Sequence, residues 1–350
     1  MKKKVMGILA TLFFTLVSIV FVAPIFIVLI NSMKSKTFIN LETFKLPTEE
    51  SYVGLENYKT AITQYDFLKA VGWTLFITVF SVAVILICCS MTAWFITRVK
   101  NVFTKMIYLL CVFSMVIPFQ MVMFTLSKFA NMLHLSNPLG IIIVYLGFGA
   151  GLAVFMFTGF VKSISLEIEE AAMIDGCTPL QMYFRVVFPI LRPTAVTVAI
   201  LEAMWVWNDY LLPSLVLNIN QYKTIPIAIQ YLKQSHGMID WGAMMAMLVL
   251  AILLAQLLNN KDLKFKGFFR TCVFLPCATS LVSYSLIFRS MFATDGLINS
   301  ILIKLGILST GYNFLGNSTS AKIVIIIALI WRWTGYNMVF YLAGLQNIEY

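Results

Sequence analysis

The chain has 350 residues, of which 60% are hydrophobic and only 11% are charged, and its mean hydropathy is +0.90. Soluble domains are about half apolar and about a quarter charged, so this composition excludes a water-soluble fold. A net charge of +10 could indicate a nucleic-acid-binding protein. The cations here cluster beside apolar runs, however, which is the pattern of charged loops that flank membrane spans. We therefore predict an all-α, polytopic protein in membrane lipid, with no nucleic-acid partner.

Eight apolar runs are long enough to cross a bilayer as helices. They cover residues 5–30, 71–97, 106–126, 138–160, 194–217, 241–258, 271–292 and 321–345. Three lysines precede the first run, which is too long for the apolar part of a signal peptide, and Pro118 interrupts the third. The loops at 98–105, 161–193 and 259–270 also carry lysines and arginines, and they alternate with loops of mixed charge. Because basic loops stay in the cytoplasm, we predict eight spans with both chain ends cytoplasmic and an external loop at 31–69.

Sequence motifs of hydrolases and nucleotide-binding enzymes, such as GxSxG, HExxH and GxxxxGK[ST], are missing. The two histidines, His134 and His236, fall in predicted loops. The six cysteines show no paired CxxC spacing, which favours buried free thiols over a metal site or a disulfide framework. We predict that the chain binds no metal or cofactor, has no catalytic residues and has no ATPase site of its own.

The loop at 161–193, between the fourth and fifth spans, contains the segment EEAAMIDGCTPLQMYFRVVFPILRP. It resembles the EAA loop of the membrane subunits of binding-protein-dependent ABC importers, in which EAA, three residues, Gly and nine more residues precede I-x-L-P. Glu170, Ala171, Ala172, Gly176 and Pro189 match this pattern, and Val186 and Phe188 stand in place of its Ile and Leu. The ATPase-coupling residues that the resemblance implies are Glu170, Ala171, Ala172, Asp175, Gly176 and Pro189. The resemblance implies the type I ABC importer transmembrane fold in the first part of the chain, with this loop, here called the EAA loop, docking a separate ATPase.

Local rules agree with this interpretation of the EAA loop. Residues 165–172 form a good helix start with acidic groups in the first turn, and Ala171 and Ala172 offer a small packing surface. Gly176 allows the chain to leave the helix in a left-handed conformation, and a second short helix is predicted over 178–184. The alternative is an ordinary amphipathic loop at the membrane surface.

Several further segments resemble the shorter membrane subunit of carbohydrate uptake systems, among them LPTEE…LENY, MIDGCTP and WVWNDYLLP. Polar groups at bilayer depth are unfavourable unless they face a cavity, and aromatic rings beside hydrogen-bonding groups suit a sugar. The predicted substrate-path residues in the fifth span are Glu202, Trp205, Asn208 and Asp209. An alternative left open is that this segment simply closes the outer end of a helix in the interfacial belt.

After about residue 250 the resemblance changes to the larger partner subunit, through FFRTCVFLP, DGLINSILIKLG and IWRWTGYNMVFYLAGLQNI. The predicted organisation is a first helix with an external loop at 1–66, the transmembrane domain with its EAA loop at 67–258, and two further helices at 259–350. The last part is interpreted as a truncated fragment of the partner, fused in frame, or as an artefact of two neighbouring genes. It lacks a second EAA loop.

The predicted function is that of a permease subunit of an ATP-driven, binding-protein-dependent carbohydrate importer in a bacterial cell membrane, supplying half of the translocation path. The resemblance implies four partners: a second permease subunit, a dimer of ATP-binding cassette subunits, an extracytoplasmic solute-binding protein and the carbohydrate. ATP and Mg would bind the ATPase alone. The alternatives are an ion-coupled secondary transporter, which should show inverted repeats and intramembrane carboxylates, and a non-functional fusion.

Overall fold

A computed structural model describes residues 22–230 and 281–346, together with residues 15, 19, 241–243, 245–247, 249 and 250. Over these ranges the chain is helical, with one isolated antiparallel bridge between Lys34 and Tyr52, which confirms the all-α class. In chain order the helices are α1 Val22–Asn31, α2 Lys36–Leu41, α3 Glu56–Thr63, α4 Phe67–Arg98, α5 Val102–Val116, α6 Phe119–Met132, α7 Pro138–Val161, α8 Leu166–Ile174, α9 Pro179–Met182, α10 Phe188–Ile190, α11 Arg192–Asn208, α12 Leu211–Val216, α13 Ile225–Gln230, α14 Leu281–Met291, α15 Leu297–Lys304 and α16 Ser318–Gln346.

The chain divides into two compact units, one formed by 1–68 with 225–350 and the other by 69–224. Helix α4 and helix α7 confirm the predicted second and fourth spans within a few residues. Pro138 occupies the first turn of α7, where a missing N–H is harmless, and the Asn137 side chain accepts hydrogen bonds from the next two N–H groups.

The core of the 69–224 unit has two apolar clusters, one toward each end of α4 and α7. The first lies where α4 ends and includes Ala93, Phe157, Tyr183 and Leu191. The second lies where α7 begins and consists of Ile77, Ala130, Ile141, Val144, Tyr145, Val206, Leu212, Val216 and Leu217. The two clusters position the two regions in which the sequence predicts function.

The third predicted span, at 106–126, is wrong as a single straight helix. Helix α5 ends at Val116 and α6 begins at Phe119, and the two axes differ by 110°. Ile117 and Pro118 both have extended backbone, because proline disfavours the helical conformation of the residue before it and donates no hydrogen bond itself. The result is an elbow at Pro118 in place of one continuous helix.

The fifth predicted span, at 194–217, is also shorter in the structure. Helix α11 ends at Asn208, Asp209 is extended, and α12 begins two residues later at Leu211. The Asp209 carboxylate accepts hydrogen bonds from the N–H groups of Leu211 and Leu212 at 3.0 and 3.4 Å. An acidic side chain that bonds to N–H groups ahead of it favours a helix start, so it ends the preceding helix.

The number of spans is not confirmed. Among the described helices, α4 and α7 are long and apolar enough to cross a membrane, and the total is four if each of two bent pairs is one span. The bent pairs are α5 with α6, and 179–190 with α11 at 77°. Most of the predicted spans at 5–30 and 241–258, and residues 271–280 of the seventh, lie outside the described residues.

In the other unit, the predicted external loop at 31–69 contains two helices, α2 and α3. Lys34 is buried, and its ammonium donates hydrogen bonds to the carbonyl oxygens of Glu42 and Lys45. Burial lowers the pKa of Lys34, and the charge of Glu42 opposes that shift. Asn57 donates to the carbonyls of Ser32 and Lys34 at 2.9 and 2.8 Å, so the loop has a fixed shape.

The described tail at 281–346 forms a small packed hairpin around α14 and α16. Its buried side chains are Tyr284, Phe288, Phe292, Val324, Ala328 and Trp331. The guanidinium carbon of Arg332 lies 5.0 Å from the centroid of the Tyr284 ring. An arginine over an aromatic face gains a favourable cation–π interaction, which is how this helix accommodates a charge in an apolar sequence.

Candidate functional site

The EAA loop begins with α8, which starts where the sequence predicts. The Ser165 side chain accepts a hydrogen bond from the N–H of Glu167, and Glu167 and Glu169 lie in the first turn, where carboxylates suit the positive end of the helix. The helix ends in a Schellman motif: the N–H of Gly176 bonds to the carbonyl of Met173, and the N–H of Cys177 bonds to that of Ala172.

Gly176 has a φ of +81°, which confirms the predicted left-handed exit from the helix. A Cβ built on Gly176 would meet no atom within 4 Å. The glycine is therefore required by the backbone conformation alone, because the left-handed region is unfavourable for residues with a side chain whatever the space around them.

The second arm of the EAA loop is α9, a π-helical turn over Tyr183–Val187 and then α10. Thr178 and Gln181 form a reciprocal capping box that starts α9, as the predicted helix over 178–184 requires. The predicted helix changes to the wider π turn at Tyr183 because Pro189 follows: its ring would crowd the carbonyl four residues earlier in a regular α-helix.

Most of the predicted docking residues of the EAA loop are exposed. Glu170, Ala171, Asp175, Gly176 and Pro189 all face outward. Large apolar side chains surround them on the same loop, and they are Leu166, Ile168, Met173, Ile174, Leu180 and Phe184. The prediction that Ala172 offers a packing surface to another protein is wrong, because Ala172 is only 8% exposed and packs in the cluster at the end of α4. Helix α8 turns that side inward.

The sequence interpretation missed the residue that fastens α8 to the rest of the unit, Glu169. Its side chain is 3% exposed and forms a salt bridge with Arg98 at 2.7 Å. The indole N–H of Trp94 donates to its second oxygen at 3.0 Å. The available signal was the spacing of Glu169 and Ala172, which puts both on one side of α8, together with a lone arginine at the end of the second span.

The predicted substrate-path residues at the end of α11 are held by their own chain. Tyr145 donates its hydroxyl hydrogen to Asp209 at 3.1 Å, and its ring lies edge-on to that of Trp205 at 5.4 Å. Asn208 donates to the carbonyl of Met204 at 2.8 Å. The structure thus brings Trp205 and Asp209 together around Tyr145. Trp205 is 40% exposed, whereas Glu202 is 1% exposed and lies against Gly149 of α7.

The EAA loop and α11 both lie within a region that matches a known protein family. Residues 85–260 match the model of the binding-protein-dependent transport system inner membrane component. The chain belongs to this family. As a family member it is a membrane permease subunit of a binding-protein-dependent importer without its own ATPase site, which favours the importer over the secondary transporter among the predicted alternatives.

Several curated permeases are similar to this permease. It is 40% identical over 252 residues to the probable starch degradation products transport system permease protein AmyC of Thermoanaerobacterium thermosulfurigenes, covering 72% of this chain and 90% of that one. It is 30% identical over 244 residues to the multiple sugar-binding transport system permease protein MsmG of Streptococcus mutans, covering 68% and 86%. A match of 52% identity over 103 residues, to the lactose transport system permease protein LacF of Rhizobium radiobacter, covers 29% of this chain and 35% of that one.

The fold of the permease is also found in a solved structure. A crystal structure of a bacterial ABC transporter involved in the import of the acidic polysaccharide alginate matches with a TM-score of 0.62 at 20% identity, covering 73% of this chain and 95% of that one. This likeness supports the transmembrane fold of the importer family for the main part of the chain.

An open groove of about 490 Å³ lies inside the elbow of the permease, between α5, α6 and α7. Its lining is Ser114, Ile117, Met121, Val122, Thr125, Leu126, Phe129, Gly147 and Phe148. None of the predicted substrate-path residues belongs to this lining. The described part of the permease has no cluster of three metal-binding side chains, and Cys88, Cys89, Cys111 and Cys177 are free thiols.

Proposed function

We propose that this permease imports a carbohydrate, with Trp205 as the aromatic platform of its translocation path. Three relatives support the substrate class by name, since they transport starch degradation products, multiple sugars and lactose. Trp205 is partly exposed and is oriented by the Tyr145 ring, and sugars bind well to exposed aromatic faces beside hydrogen-bonding groups. Asn208 and Asp209 orient this end of α11, whereas Glu202 would reach a substrate only if the helices around it separated.

We further propose that the EAA loop docks the ATPase subunit, and the exposed Schellman turn at Gly176 is the observation that carries this assignment. The turn lies between two short helices, and Ile174 beside it is 86% exposed. Met173 and Leu180 on the same loop are also exposed, and a group of exposed apolar side chains beside polar residues is typical of a protein–protein contact. The acidic Glu170 and Asp175 would meet polar or basic groups of the ATPase, whose dimer alone holds ATP and Mg.

The remaining partners and the orientation follow from this docking. A second permease subunit supplies the other half of the path, and an extracytoplasmic solute-binding protein delivers the carbohydrate. The EAA loop then lies in the cytoplasm, and the alternation of basic loops places the N-terminus on that side of the bacterial cell membrane.

The experiment is uptake into liposomes that contain the full complex and its solute-binding protein. Radiolabelled maltotriose, lactose and raffinose are offered one at a time, with glutamine as a non-carbohydrate control. We expect uptake of at least one sugar that requires both internal ATP and the binding protein. Uptake driven by a proton or sodium gradient without ATP would overturn the importer, and uptake of glutamine alone would overturn the carbohydrate assignment.

We propose that residues 259–350 are a fragment of the larger partner permease fused to the main domain. The length of the LacF match supports this, since its 103 residues at 52% identity are about as long as this segment and cover only about a third of that relative. The described tail has its own aromatic core, so it folds as a hairpin in which α14 also packs against α13. It does not contain a second EAA loop to engage an ATPase.

Truncation after Leu258 tests the fused fragment. We expect the truncated chain, expressed with its partners, to keep or raise both its amount in the membrane and its ATP-dependent uptake. A Phe288→Ala variant of the full chain, which disturbs the hairpin core without shortening the chain, is the matched control. Loss of uptake on truncation, while the intact chain transports, would show that the tail is a working part.

A further inference from the structure

Three residues on α4 bind both arms of the EAA loop. Ser90, Trp94 and Arg98 are spaced four residues apart, so they form one stripe along the last turns of the helix. Ser90 is within 2.5 Å of the Tyr183 hydroxyl, and Trp94 donates to one oxygen of Glu169. Arg98 donates to the other oxygen of Glu169 from Nε at 2.9 Å and from Nη2 at 2.7 Å. The first arm of the loop is thus held by Glu169, and the second arm by Tyr183.

The contacts of this stripe form one connected network. The Nη2 of Arg98 also donates to the carbonyl of Ile164, just before α8 begins, at 3.1 Å. The centroids of the Trp94 and Tyr183 rings are 5.7 Å apart, so Trp94 contacts the second arm through Tyr183 as well as the first arm through Glu169. Glu169 and Tyr183 are almost fully buried. A buried ion pair contributes little net stability over an apolar pair of the same size, but it fixes geometry closely, because breaking one partner leaves an uncompensated charge.

Building on the proposed docking of the ATPase at the EAA loop, we propose that the stripe Ser90–Trp94–Arg98 is the link that passes movement of this loop to helix α4. Helix α4 is about 48 Å long at 1.5 Å per residue, so its last turns and its distant end move as one rod. Glu169 and its neighbour Glu170 have different environments. Glu169 faces inward and binds α8 to α4, whereas Glu170 faces outward. Glu169, Tyr183 and the stripe are positioning residues, because they act through the loop and not on nucleotide or substrate.

The test is Glu169→Gln in the complete complex, reconstituted with its solute-binding protein and partners. The measurement is the ratio of ATP hydrolysis with the binding protein to hydrolysis without it. We expect hydrolysis without the binding protein to stay within about twofold of the wild type, while the stimulation falls to less than about one third. Copurification of the ATPase subunit shows that docking is intact. This readout does not depend on which carbohydrate is transported.

Glu167→Gln is the matched control, since it removes one negative charge from an exposed site of the same helix and should leave the ratio unchanged. Trp94→Phe removes the indole N–H and leaves a smaller aromatic ring, and Tyr183→Phe removes only the hydroxyl group that bonds to Ser90. Both should lower the ratio. Arg98→Lys, which keeps the charge, should retain more stimulation than Arg98→Met.

An unchanged ratio in Glu169→Gln would overturn the proposed link. This holds whether both rates stay at the wild-type level or fall in proportion, because a purely structural role would lower the amount of working complex and leave the ratio alone. If Glu169→Gln does not accumulate in the membrane, an unchanged ratio in Trp94→Phe and Tyr183→Phe decides in the same way.

Discussion

The EAA loop and the far end of α11 are the two regions in which the sequence predicts functional residues, and their side chains are used differently. In the EAA loop, Glu170, Asp175 and Gly176 face outward. At the end of α11, Asp209 accepts hydrogen bonds from Tyr145 and from the start of α12. The first region leaves these residues on the surface, where the proposed docking would use them, whereas the second uses its polar groups to hold its own fold.

This difference separates two reasons for a polar or special residue in a membrane protein. Gly176 sits in open space and is needed only for its backbone conformation, so a substitution there should change function more than stability. Gly140, at the start of α7, has the opposite surroundings: a Cβ there would overlap the backbone of Leu135. A substitution at Gly140 should therefore change stability first.

The largest expected effect is that of Gly176→Val. A side chain in the left-handed region is unfavourable by roughly 1–2 kcal/mol, and a β-branched residue is among the worst there. The turn should open and α9 should shift. Because about 1.4 kcal/mol of strain lowers the equilibrium constant for forming the turn tenfold, ATP hydrolysis stimulated by the binding protein should fall about tenfold. The membrane content of the permease, measured by immunoblot, should not change.

Gly176→Asn is the matched control for this turn, because asparagine enters the left-handed region more readily and the site has room for its side chain. It should keep most of the stimulated hydrolysis. Equal activity of the valine and asparagine variants would contradict the role of the φ angle.

The next effect is on stability, in Gly140→Ala. The added methyl group would meet backbone atoms of Leu135, which cannot rotate away, and overpacking of this kind is unfavourable by about 1–3 kcal/mol. We expect a lower midpoint of thermal unfolding in detergent and less permease in the membrane. Gly147→Ala on the same helix is the control, since its Cβ would meet nothing within 4 Å. Identical midpoints for the two variants would mean that the α7 start is not tightly packed.

Features that depend on a few neighbouring residues were predictable from the sequence. The Ser165 cap, the left-handed Gly176 and the start of α9 at Thr178 all follow from helix-end rules, and the structure confirms them. The break at Pro118 was visible, but its size was not. The angle between α5 and α6 is set by their packing against the rest of the unit, which no local rule contains.

Features that depend on distant residues were not predictable in this way. Arg98 and Glu169 are 71 positions apart in the chain, and each alone is typical of a solvated cytoplasmic residue. Asp209 and Tyr145 are 64 positions apart, so the sequence does not reveal that the Asp209 carboxylate accepts a hydrogen bond from the Tyr145 hydroxyl. Only the fold brings such pairs together, and it also decides that Ala172 turns inward while Ala171 stays exposed.

The smallest expected effect is that of Glu202→Gln. The side chain is 1% exposed, and its Oε2 atom has no hydrogen-bond partner among the described residues. Glutamine keeps the shape, and replacing the unpartnered Oε2 breaks no hydrogen bond of the described residues, so ATP-dependent sugar uptake should change by less than about twofold. A substrate-binding carboxylate would behave otherwise, because replacing one acceptor oxygen by a donor unpairs a buried hydrogen bond and lowers uptake about tenfold.

Trp205→Ala, at a partly exposed ring three residues later, is the comparison and should lower uptake strongly. If Glu202→Gln abolishes uptake while the complex assembles normally, Glu202 contacts the substrate, and the contrast between the EAA loop and the end of α11 fails at this residue.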